Sequence, residues 1–597
     1  MNRQTAVVIG VLVLCGLSSA QIARGEAAGA AIGASVGKLE FKDIWYLPRS
    51  LDDLGDKQAF AIVFTSTTCP ITTAYLPELK RLDEEYCERG VQFVAVNVAQ
   101  QDSVRDIAAQ NLEHEIKFPF VKDFNHSCVA ALGVTHTPQV VVLDGQRRIR
   151  YRGRIDDRYV DASAEREPKQ RDLIAALDAV LAGKDVTQPE TPAVGTPIAA
   201  PKAPDVPGEV TFAEHVAPIL TKHCQSCHRP GTEAPFSLVT HDDAANHADM
   251  VAEVIAEERM PPWYASFGKF ENAPTMTDEE RDIVRAWVAR GCPPGDLAKL
   301  TPPAPEVVEP AKWNIEEPDL VISVPQPHDL PADGYVAYKY VILPYRFAHD
   351  TWIQQCEIKP DNPRVVHHCN MAYLENALDW TSAKFVLGKV PGVMPMKLEQ
   401  GLAFRIPKGS VLILQIHYTT TGQPEKCQIS VGMRYAREVV NKELHYLWMV
   451  DEQFAIPPGD ALHRVTATNV LNCDALSIGA FAHMHFRGRH MSFFAHYPDN
   501  RVEKLLVIPN FSFDWQLAYR WDQPKRFPKG TRIECVSHYD NSPFNPYNPD
   551  PKATVREGQQ TFQEMLNGVM FYLDEGEQLN LKVDPATGKA LSESASR

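Results

Sequence analysis

The sequence has a shortage of positive charge and of long apolar runs, and each shortage excludes a class of protein. Its formal net charge is −16 over 597 residues, which argues against nucleic acid as a partner. Beyond the N-terminus no apolar run is long enough to span a bilayer, so we expect no stable membrane span. No repeat of fixed period is present. With 44% hydrophobic and 23% charged residues, the chain is expected to form roughly three or four globular domains.

The N-terminus carries the one apolar run that stands out. Apolar residues 6–17 are followed by small residues at 18–20. This pattern predicts a signal peptide over residues 1–20, because the run is short for a transmembrane anchor. Cys15 leaves a lipoprotein open as an alternative, although the bulky Leu14 precedes it. We therefore expect a periplasmic or secreted protein, in a compartment where disulfide bonds persist.

Two Pro-rich segments divide the rest of the chain. Residues 186–210 and 297–312 lack apolar periodicity and are predicted to be extended linkers. They delimit an α/β domain at residues 38–185, a small all-α domain at residues 211–296 and an all-β region from residue 313 onwards. The β region consists of short apolar runs separated by Pro, Gly, Asn and Asp, which is typical of β-sandwiches.

The first domain alternates strands and helices. Residues 59–64 and 91–98 read as buried strands, and helical spacing lies between them. Cys69 and a proline follow the first strand, and Thr137-Pro138 precedes a later one. These elements resemble the thioredoxin/peroxiredoxin superfamily. The resemblance implies a cis peptide bond at Pro138, beside an active cysteine.

Cys69 is the candidate catalytic thiol of this domain. At a helix N-terminus, the helix dipole would favour its thiolate form. Thr72 stands where a dithiol oxidoreductase has its second cysteine, so ordinary dithiol exchange is excluded. A peroxidatic thiol would need a resolving partner, for which Cys87 and Cys128 are the candidates. A domain without thiol chemistry is the alternative.

The all-α domain contains the sequence CQSCH at its first third. C-x-x-C-H is the attachment motif of c-type haem. Cys224 and Cys227 would form thioethers with the vinyl groups, and His228 would bind the iron from one side. No second C-x-x-C pair is present to complete a zinc site. The sequence therefore predicts one covalently bound haem c.

A second axial ligand for this haem is also expected. The region resembles single-haem cytochrome c domains, in which a Met-Pro element supplies the distal ligand. The resemblance implies Met260, in the sequence RMPPW, whereas Met250 and Met276 are alternatives. A Met/His pair raises the reduction potential, which suits electron transfer.

Histidines and one methionine recur through the last third of the chain. They are His367, His368, His417, His483, His485 and Met565. Their order, with HH, then HY, then H-x-H, then EM, resembles the copper type II ascorbate-dependent monooxygenases, the family of dopamine β-monooxygenase and peptidylglycine hydroxylating monooxygenase. The resemblance implies two all-β sandwich lobes of jelly-roll type, at residues 313–465 and 466–583. The three histidines of the first lobe would bind one copper ion, and the two histidines and the methionine of the second would bind another.

These donor types suit copper. Imidazole serves both oxidation states of the metal, and a thioether favours Cu(I). Because successive side chains of a strand alternate between its faces, His483 and His485 would share one face. Met484 would then point into the protein core.

Other positions bear on the substrate. Gln415 and Asn567 match the family. Phe481 stands where the peptide-hydroxylating enzyme has the arginine that binds the peptide carboxylate, and Val569 replaces a tyrosine that assists it. We therefore expect a substrate less anionic than a peptide carboxylate.

The remaining cysteines would suit an exported β-rich protein. Cys356 and Cys427 could form a disulfide bond in the first lobe, and Cys473 and Cys535 could form one in the second. Cys369 would stay free. Connectivity is not fixed by the sequence.

Together these features predict an exported copper monooxygenase that hydroxylates a C–H bond of a small organic substrate with O₂. Two copper ions and one haem c are the expected cofactors. The second copper would activate oxygen, and the first would store an electron. Electrons would come from an external ascorbate-like reductant or redox protein, or through the fused haem. The alternatives are a non-catalytic electron-transfer or copper-handling protein, and a thiol peroxidase acting through Cys69.

Overall fold

The computed structural model describes residues 29–161, 164–300, 312–334, 336–379, 383–390 and 395–591. The predicted signal peptide at residues 1–20 and most of the predicted second linker lie outside these ranges. Within them, no helix is long and apolar enough to cross a membrane.

The first part of the chain is an α/β domain around a seven-stranded sheet with the order β2-β1-β5-β4-β3-β7-β8. Its strands are β1 (Glu40–Asp43), β2 (Pro48–Ser50), β3 (Ala59–Thr65), β4 (Val91–Asn97), β5 (Phe120–Lys122), β6 (His136–Thr137), β7 (Gln139–Asp144), β8 (Ile149–Gly153), β9 (Tyr159–Asp161) and β10 (Ala164–Glu165). Its helices are α1 (Pro70–Tyr86), α2 (Val104–Glu113), α3 (Ser127–Leu132) and α4 (Asp172–Leu181). Every residue of β3 is buried, because apolar cores cover both faces of the sheet. The predicted thioredoxin-like α/β domain is confirmed.

The Pro-rich segment at residues 186–210 packs against this domain. Its short strand β11 (Thr196–Pro197) pairs antiparallel with β6. Val186 and Val194 pack against the core on one face of the sheet, and Ile198 packs against the core on the other. The segment that was predicted as a spacer is therefore fixed to the first domain over part of its length.

A small helical region follows. Its helices are α5 (Ala217–His223), α6 (His241–Asn246), α7 (Ala248–Ala256) and α8 (Asp278–Ala289). They enclose a core of their own around Phe212 and the fully buried Trp287. Helix α8 begins with a capping box, in which the side chain of Thr277 accepts a hydrogen bond from the backbone amide of Glu280.

The third part begins with a β lobe of two sheets. Its strands are β12 (Leu320–Ser323), β13 (His328–Leu330), β14 (Lys339–Arg346), β15 (Thr351–Pro360), β16 (Val366–Leu374), β17 (Lys384–Lys389), β18 (Met396–Lys397), β19 (Leu402–Ile406), β20 (Val411–Tyr418), β21 (Glu425–Cys427), β22 (Ile429–Tyr435) and β23 (Lys442–Glu443). One sheet has the order β12-β22-β15-β19-β23 with β18 beside β15, and the other has the order β14-β20-β16-β17. Side chains from both sheets, such as Met433 and Leu414, share one core.

A second β lobe repeats this arrangement. Its strands are β24 (His445–Val450), β25 (Ala455–Ile456), β26 (His463–Val470), β27 (Ala475–His483), β28 (Gly488–His496), β29 (Val502–Ile508), β30 (Ala518–Phe527), β31 (Arg532–Tyr539), β32 (Val555–Arg556) and β33 (Asn567–Asp574). The sheets have the orders β24-β33-β27-β30 and β26-β31-β28-β29, and their facing side chains form one core. The prediction of a large all-β C-terminal region is confirmed.

The cysteines do not form the predicted disulfide bonds. Every cysteine in the described ranges is a free thiol. Cys356 lies on β15 of the larger sheet, whereas Cys427 lies on β21 in a separate two-stranded ribbon. Cys535 is fully buried on β31, whereas Cys473 lies in the bend before β27. The predicted pairings Cys356–Cys427 and Cys473–Cys535 are therefore wrong in this structure.

Contacts join the helical region to the β lobes. Trp263, in the segment after α7, packs edge-to-face on Tyr519 of the second lobe with ring centroids 5.1 Å apart. On the other side, Glu233 forms an ion pair with Lys389 of β17 in the first lobe. Lys389 is the register partner of Cys369, which directly follows the paired histidines on β16. The turn that contains C-x-x-C-H thus lies close to the strand that carries the first histidine set.

Candidate functional site

The three histidines of the first lobe come together on two adjacent strands. His368 on β16 is the register partner of His417 on β20. Neighbouring residues of a regular strand point to opposite faces, but a bulge between Val366 and His368 breaks that alternation. His367 therefore turns to the same side, and its Nδ1 lies 3.0 Å from Nδ1 of His368. One nitrogen from each imidazole lies within 4.8 Å of one from each of the others.

This first set fits a metal ion. Nδ1 of His417 is buried and has no hydrogen-bond partner among the described residues, which is unfavourable unless a ligand satisfies it. Burial, followed by the nearby His367, lowers the pKa of His417 to about 4, and burial also lowers the pKa of His368. His368 and His417 are thus neutral at pH 7, which is the form that binds metals. Three imidazole donors suit copper or zinc.

The second set lies at the end of β27 and in the segment before β33. The rings of His483 and His485 are 5.1 Å apart, and Met484 between them is fully buried in the core. Nδ1 of His483 lies 2.6 Å from Oε1 of Gln516, and Nδ1 of His485 lies 3.2 Å from the carbonyl of Gln563. Both protein contacts use Nδ1, which leaves both Nε2 atoms as the available donors.

Met565 completes this set. Its sulfur accepts a hydrogen bond from the side-chain amide of Asn567 at 3.6 Å. Met565 also lines the same cavity as the two histidines. Two imidazoles and a thioether suit copper in particular, since the sulfur favours Cu(I).

A buried carboxylate fixes the backbone around the second set. Glu564 is fully buried, and its oxygens accept hydrogen bonds from the amides of His485 at 2.9 Å and Arg487 at 2.6 Å. Arg487 is itself buried, with its guanidinium donating to Asn541 and to the carbonyl of Phe562. Burial raises the pKa of Glu564 to about 8, although these amides oppose the shift. The H-x-H segment and the Met565 segment are thus held together by one side chain.

One cavity of about 1030 Å³ lies between the two lobes, and one member of the first set and all three members of the second set line it. Its lining includes His368, His483 and Met565. Phe481 also lines it and stacks on Phe385 of the first lobe, with ring centroids 6.4 Å apart. This wall is apolar at the position where the peptide-hydroxylating enzyme has its arginine.

Two other predicted neighbours of the sites differ in position. Gln415 lines the cavity, accepts a hydrogen bond from Asn370 and donates one to Tyr340. Val569 is buried on β33 opposite Phe481 and belongs to the sheet. It is Asn567, two residues earlier, that reaches the cavity.

A short segment of the second lobe touches both ligand sets. The ring of Phe513 stacks on His367 with centroids 5.7 Å apart, and it lies 6.1 Å from the ring of His485. Oδ1 of Asp514 lies 3.0 Å from Nε2 of His367. Sequence reasoning missed Phe513, Asp514 and Gln516, because they lie in a connection between strands that matches no ligand motif.

The C-x-x-C-H motif forms one tight turn after α5. The amides of Cys227 and His228 both donate to the carbonyl of Cys224, at 3.1 and 2.8 Å. Nδ1 of His228 lies 3.2 Å from the carbonyl of Phe236, which leaves Nε2 as the available donor. Both thiols are free and partly exposed. These donors fit the covalent attachment and axial ligation of a haem c.

The predicted distal ligand lies in the turn after α7. Met260 is half-buried and precedes a cis peptide bond to Pro261. The ring that the structure places beside His228 is that of Phe236, which in turn stacks on His247. Of the alternatives, Met250 is exposed and Met276 is buried in the core.

Cys69 lies where the resemblance implies. It immediately precedes α1, and the Thr137-Pro138 bond is cis. The thiol is 1% exposed and donates to the carbonyl of Thr137 at 3.0 Å. Burial alone would raise its pKa, but hydrogen bonds from Thr196 and Thr72 outweigh burial, and the pKa of Cys69 is lowered.

Neither candidate resolving thiol lies near Cys69. Cys87 directly follows α1, whereas Cys69 directly precedes it, so a helix of roughly 25 Å separates them. Cys128 packs in the core on the opposite face of the sheet. Burial raises the pKa of Cys128 above its ordinary range. The prediction that Cys87 or Cys128 resolves Cys69 is wrong within this fold.

Comparison with known proteins bears on the first domain. Residues 48–166 match the family model Redoxin. A hypothetical protein from Sinorhizobium meliloti is 26% identical, with 29% of this chain and 96% of that chain covered and a TM-score of 0.27. An uncharacterized conserved protein from Geobacillus kaustophilus is also 26% identical, with 30% and 94% covered and a TM-score of 0.27. Peroxidoxin BcpB from Mycobacterium tuberculosis is 19% identical, with 25% and 94% covered and a TM-score of 0.20.

A comparison with functionally curated proteins finds no match. The family match covers the strand before Cys69, the helix after it and the Thr137-Pro138 bond, which are the elements that carry the resemblance in the sequence. Residues 48–166 therefore form a thioredoxin/peroxiredoxin-like Redoxin domain.

Proposed function

We propose that the protein is an exported copper-dependent monooxygenase that hydroxylates a C–H bond of a small organic substrate with O₂. The observation that carries the proposal is that a cavity between two β lobes is lined by His368 of one ligand set and by all three members of the other. Three histidines form the first set, and two histidines and a methionine form the second. Bound copper would supply one-electron chemistry and oxygen activation, which no amino-acid side chain provides.

The two sets differ in a way that suits different tasks. His367, His368 and His417 offer three nitrogen donors, whereas the second set adds the sulfur of Met565. A thioether stabilises the reduced metal, so the second set suits the place where O₂ is bound, and the first suits storage of an electron. The cavity holds the substrate, and Phe385 and Phe481 exclude water from part of it.

The helical region supports a supply of single electrons. A haem c held by Cys224, Cys227 and His228 would supply them from within the chain, and an external ascorbate-like reductant or redox protein would reduce it. The ion pair of Glu233 with Lys389 keeps this region against the first lobe. Covalent attachment of the haem would need free thiols at Cys224 and Cys227, and both are free in the structure.

The test measures copper, oxygen and product together. The full chain is loaded with copper, reduced with ascorbate and supplied with O₂ and a panel of small organic compounds. We expect oxygen consumption that depends on substrate, and a product heavier by one oxygen atom when isotopically heavy O₂ is used. His483→Ala should abolish both. A chain that binds copper but yields no product would instead be an electron-transfer or copper-handling protein.

Thiol peroxidase activity is the second candidate, and the lowered pKa of Cys69 favours it. Cys69→Ser is the matched control in the same assay. It should leave substrate hydroxylation unchanged and abolish any consumption of hydrogen peroxide. If hydroxylation is lost in Cys69→Ser and kept in His483→Ala, the copper proposal fails and the thiol is the reactive group.

A further inference from the structure

Residues 513–516 belong to the second lobe and contact histidines of both ligand sets, and we name them the bridging segment. They lie between β29 and β30, outside both lobes' sheets. Phe513 contacts histidine rings of both sets, Asp514 contacts His367, and Gln516 contacts His483. Gln516 is almost fully buried, and its amide also donates to the carbonyl of Phe513 at 3.0 Å, so the segment is internally fixed.

The two polar contacts decide which ring nitrogen is left for a ligand. Asp514 accepts a hydrogen bond from the Nε2–H group of His367, so the proton of that ring stays on Nε2 and Nδ1 keeps its lone pair. The side-chain oxygen of Gln516 accepts a hydrogen bond from the Nδ1–H group of His483, so Nε2 of that ring keeps its lone pair. Nδ1 of His367 lies 3.0 Å from Nδ1 of His368, so it points towards the place where the three imidazoles of the first set converge.

We propose that Asp514 and Gln516 are positioning residues that set the tautomers of His367 and His483 for metal binding. Phe513 between them keeps the two sets at a fixed spacing. The assignment rests on the proposed copper function. Asp514 reaches across from the second lobe to His367 on the first, so the contact between the lobes supports the first set. Partners of this kind typically change metal affinity by roughly 10–100-fold.

The experiment measures copper affinity at each site by competition titration, and the cupric spectrum by electron paramagnetic resonance. Asp514→Asn should weaken the first site about tenfold or more and alter its spectrum, while the second site stays unchanged. Gln516→Leu should weaken the second site in the same way and leave the first site unchanged. Asp514→Glu keeps a carboxylate and should restore part of the affinity, whereas an effect of folding alone would not be restored. Asp522→Asn removes an exposed charge from the same lobe and is the matched control.

The outcomes separate the two levels of the argument. If the wild-type chain binds two copper ions and neither variant weakens its own site, the positioning assignment is overturned and the proposed function stands. If the wild-type chain binds no copper, both fail. If Asp514→Asn and Asp522→Asn have equal effects, charge alone is responsible and the assignment is wrong.

A second inference comes from the first domain and is independent of copper. Residues 195–198, which we name the strap, cover Cys69. Thr196 pairs with Thr137 and Pro197 pairs with His136, and the amide of Ile198 donates to the carbonyl of Thr135 at 2.9 Å.

The strap fits closely at its first residue. Gly195 has a φ of +152°, and a Cβ at this position would lie 2.0 Å from the carbonyl oxygen of Thr137. A larger residue therefore cannot occupy this position without moving the strap. Thr196 lies beside the thiol of Cys69 and helps to lower its pKa. The strap thus closes both the β6 edge and the thiol beneath it.

We infer that the strap is an internal cover of Cys69, which holds the edge of β6 as an extended peptide would and controls access to the thiol. Main-chain hydrogen bonds along a strand edge are a general mode of peptide recognition. While the strap is bound, the thiol is closed to large reagents. When it leaves, Cys69 and the edge are exposed together.

Alkylation by iodoacetamide, followed by mass spectrometry, tests this inference. In the wild-type chain Cys69 should react at least tenfold more slowly than the exposed Cys87, which serves as the internal standard. Gly195→Val should displace the strap and bring the Cys69 rate towards that of Cys87. Gly208→Val is the matched control, since Gly208 also has a positive φ but no atom within 4 Å of a built Cβ.

The variant Thr196→Val is a second test of this inference, and it does not disturb the backbone. It removes the hydroxyl beside the thiol, so alkylation of Cys69 should require a higher pH than in the wild-type chain. The inference is overturned if Cys69 and Cys87 of the wild-type chain react at equal rates. It is also overturned if Gly195→Val and Gly208→Val behave alike, or if Thr196→Val leaves the pH dependence unchanged.

Discussion

In the first β lobe the candidate ligands lie on two neighbouring strands, whereas in the second they come from separate places in the chain. His368 and His417 are register partners, so the backbone ladder alone brings them together. His483 and His485 meet Met565 through Glu564, a buried side chain that accepts backbone amides from the H-x-H segment. One lobe builds its site from hydrogen-bonded strands, and the other from a buried polar network. The second should therefore be the more sensitive to single substitutions.

The largest effect expected from this comparison is loss of metal. The wild-type chain should bind about two copper ions, since each set offers three suitable donors. The double variant His483→Ala/His485→Ala should bind about one, and so should His367→Ala/His368→Ala, with haem content unchanged in both. Elemental analysis with the haem absorption spectrum measures this. His496→Ala, a partly exposed histidine paired with Glu534, is the control. Two copper ions in either double variant would contradict the assigned sets.

Next is the buried carboxylate. Glu564→Ala would leave the buried amides of His485 and Arg487 without acceptors, and each such loss costs about 1–3 kcal/mol. We expect the second lobe to open more readily by ~3 kcal/mol, measured by hydrogen exchange with mass spectrometry, while exchange in the first lobe stays the same. Equal changes in both lobes would show that they share one network.

Acid should destabilise the second lobe at a histidine pair that lies outside its ligand set. His490 and His538 are a buried pair on β28 and β31 of the second lobe, with ring centroids 4.4 Å apart. Burial, followed by the charge of Arg489, lowers the pKa of His538 to about 4, and burial lowers that of His490 further below 6.5. The folded state thus binds fewer protons than the unfolded state, whose histidines titrate near 6.5. Stability of the second lobe should therefore fall as the pH drops from about 6.5 towards 4.

The measurement for this pair is hydrogen exchange as a function of pH. The double variant His490→Gln/His538→Gln should lose the part of this slope that comes from the pair, because only the other buried histidines of the lobe, His483 and His485, then take up protons on unfolding. Parallel curves for the variant and the wild-type chain would place the acid sensitivity elsewhere.

The smallest effect is expected in the first lobe. Gln415→Ala removes hydrogen bonds to Asn370 and to the exposed Tyr340, while the register of β16 and β20 is kept by their backbones. Water can replace these partly exposed contacts, so we expect a loss of stability under about 1 kcal/mol. A loss as large as that of Glu564→Ala, in the same exchange assay, would remove the difference between the lobes.

The contrast also explains what could be predicted from the sequence. Periodicity and short motifs report local geometry, and so they predicted the buried strand before Cys69 and the all-β region that carries the histidines. Asp514 and Gln516 could not be found, because their contacts with His367 and His483 span long sequence distances. The same limit applies to disulfide bonds. Cys356 and Cys427 are plausible partners by order, but the topology puts them in different sheets.

The strap shows a different limit. Proline content indicates an extended chain, and residues 195–198 are indeed extended. Composition does not reveal whether an extended chain is free or paired with a strand edge, because both use the same backbone conformation. Only the position of Thr137 opposite Thr196 decides this.

The bulge in β16 has a consequence for how such a site could be built elsewhere. Two consecutive histidines at a bulge, opposite one histidine in register on the next strand, give three convergent imidazoles from a two-stranded element. This arrangement needs three histidine side chains and one bulged residue in a strand, and it uses no loop. It should therefore be transferable to other antiparallel pairs, where deletion of the single bulged residue would turn one imidazole to the far face and reduce the site from three donors to two.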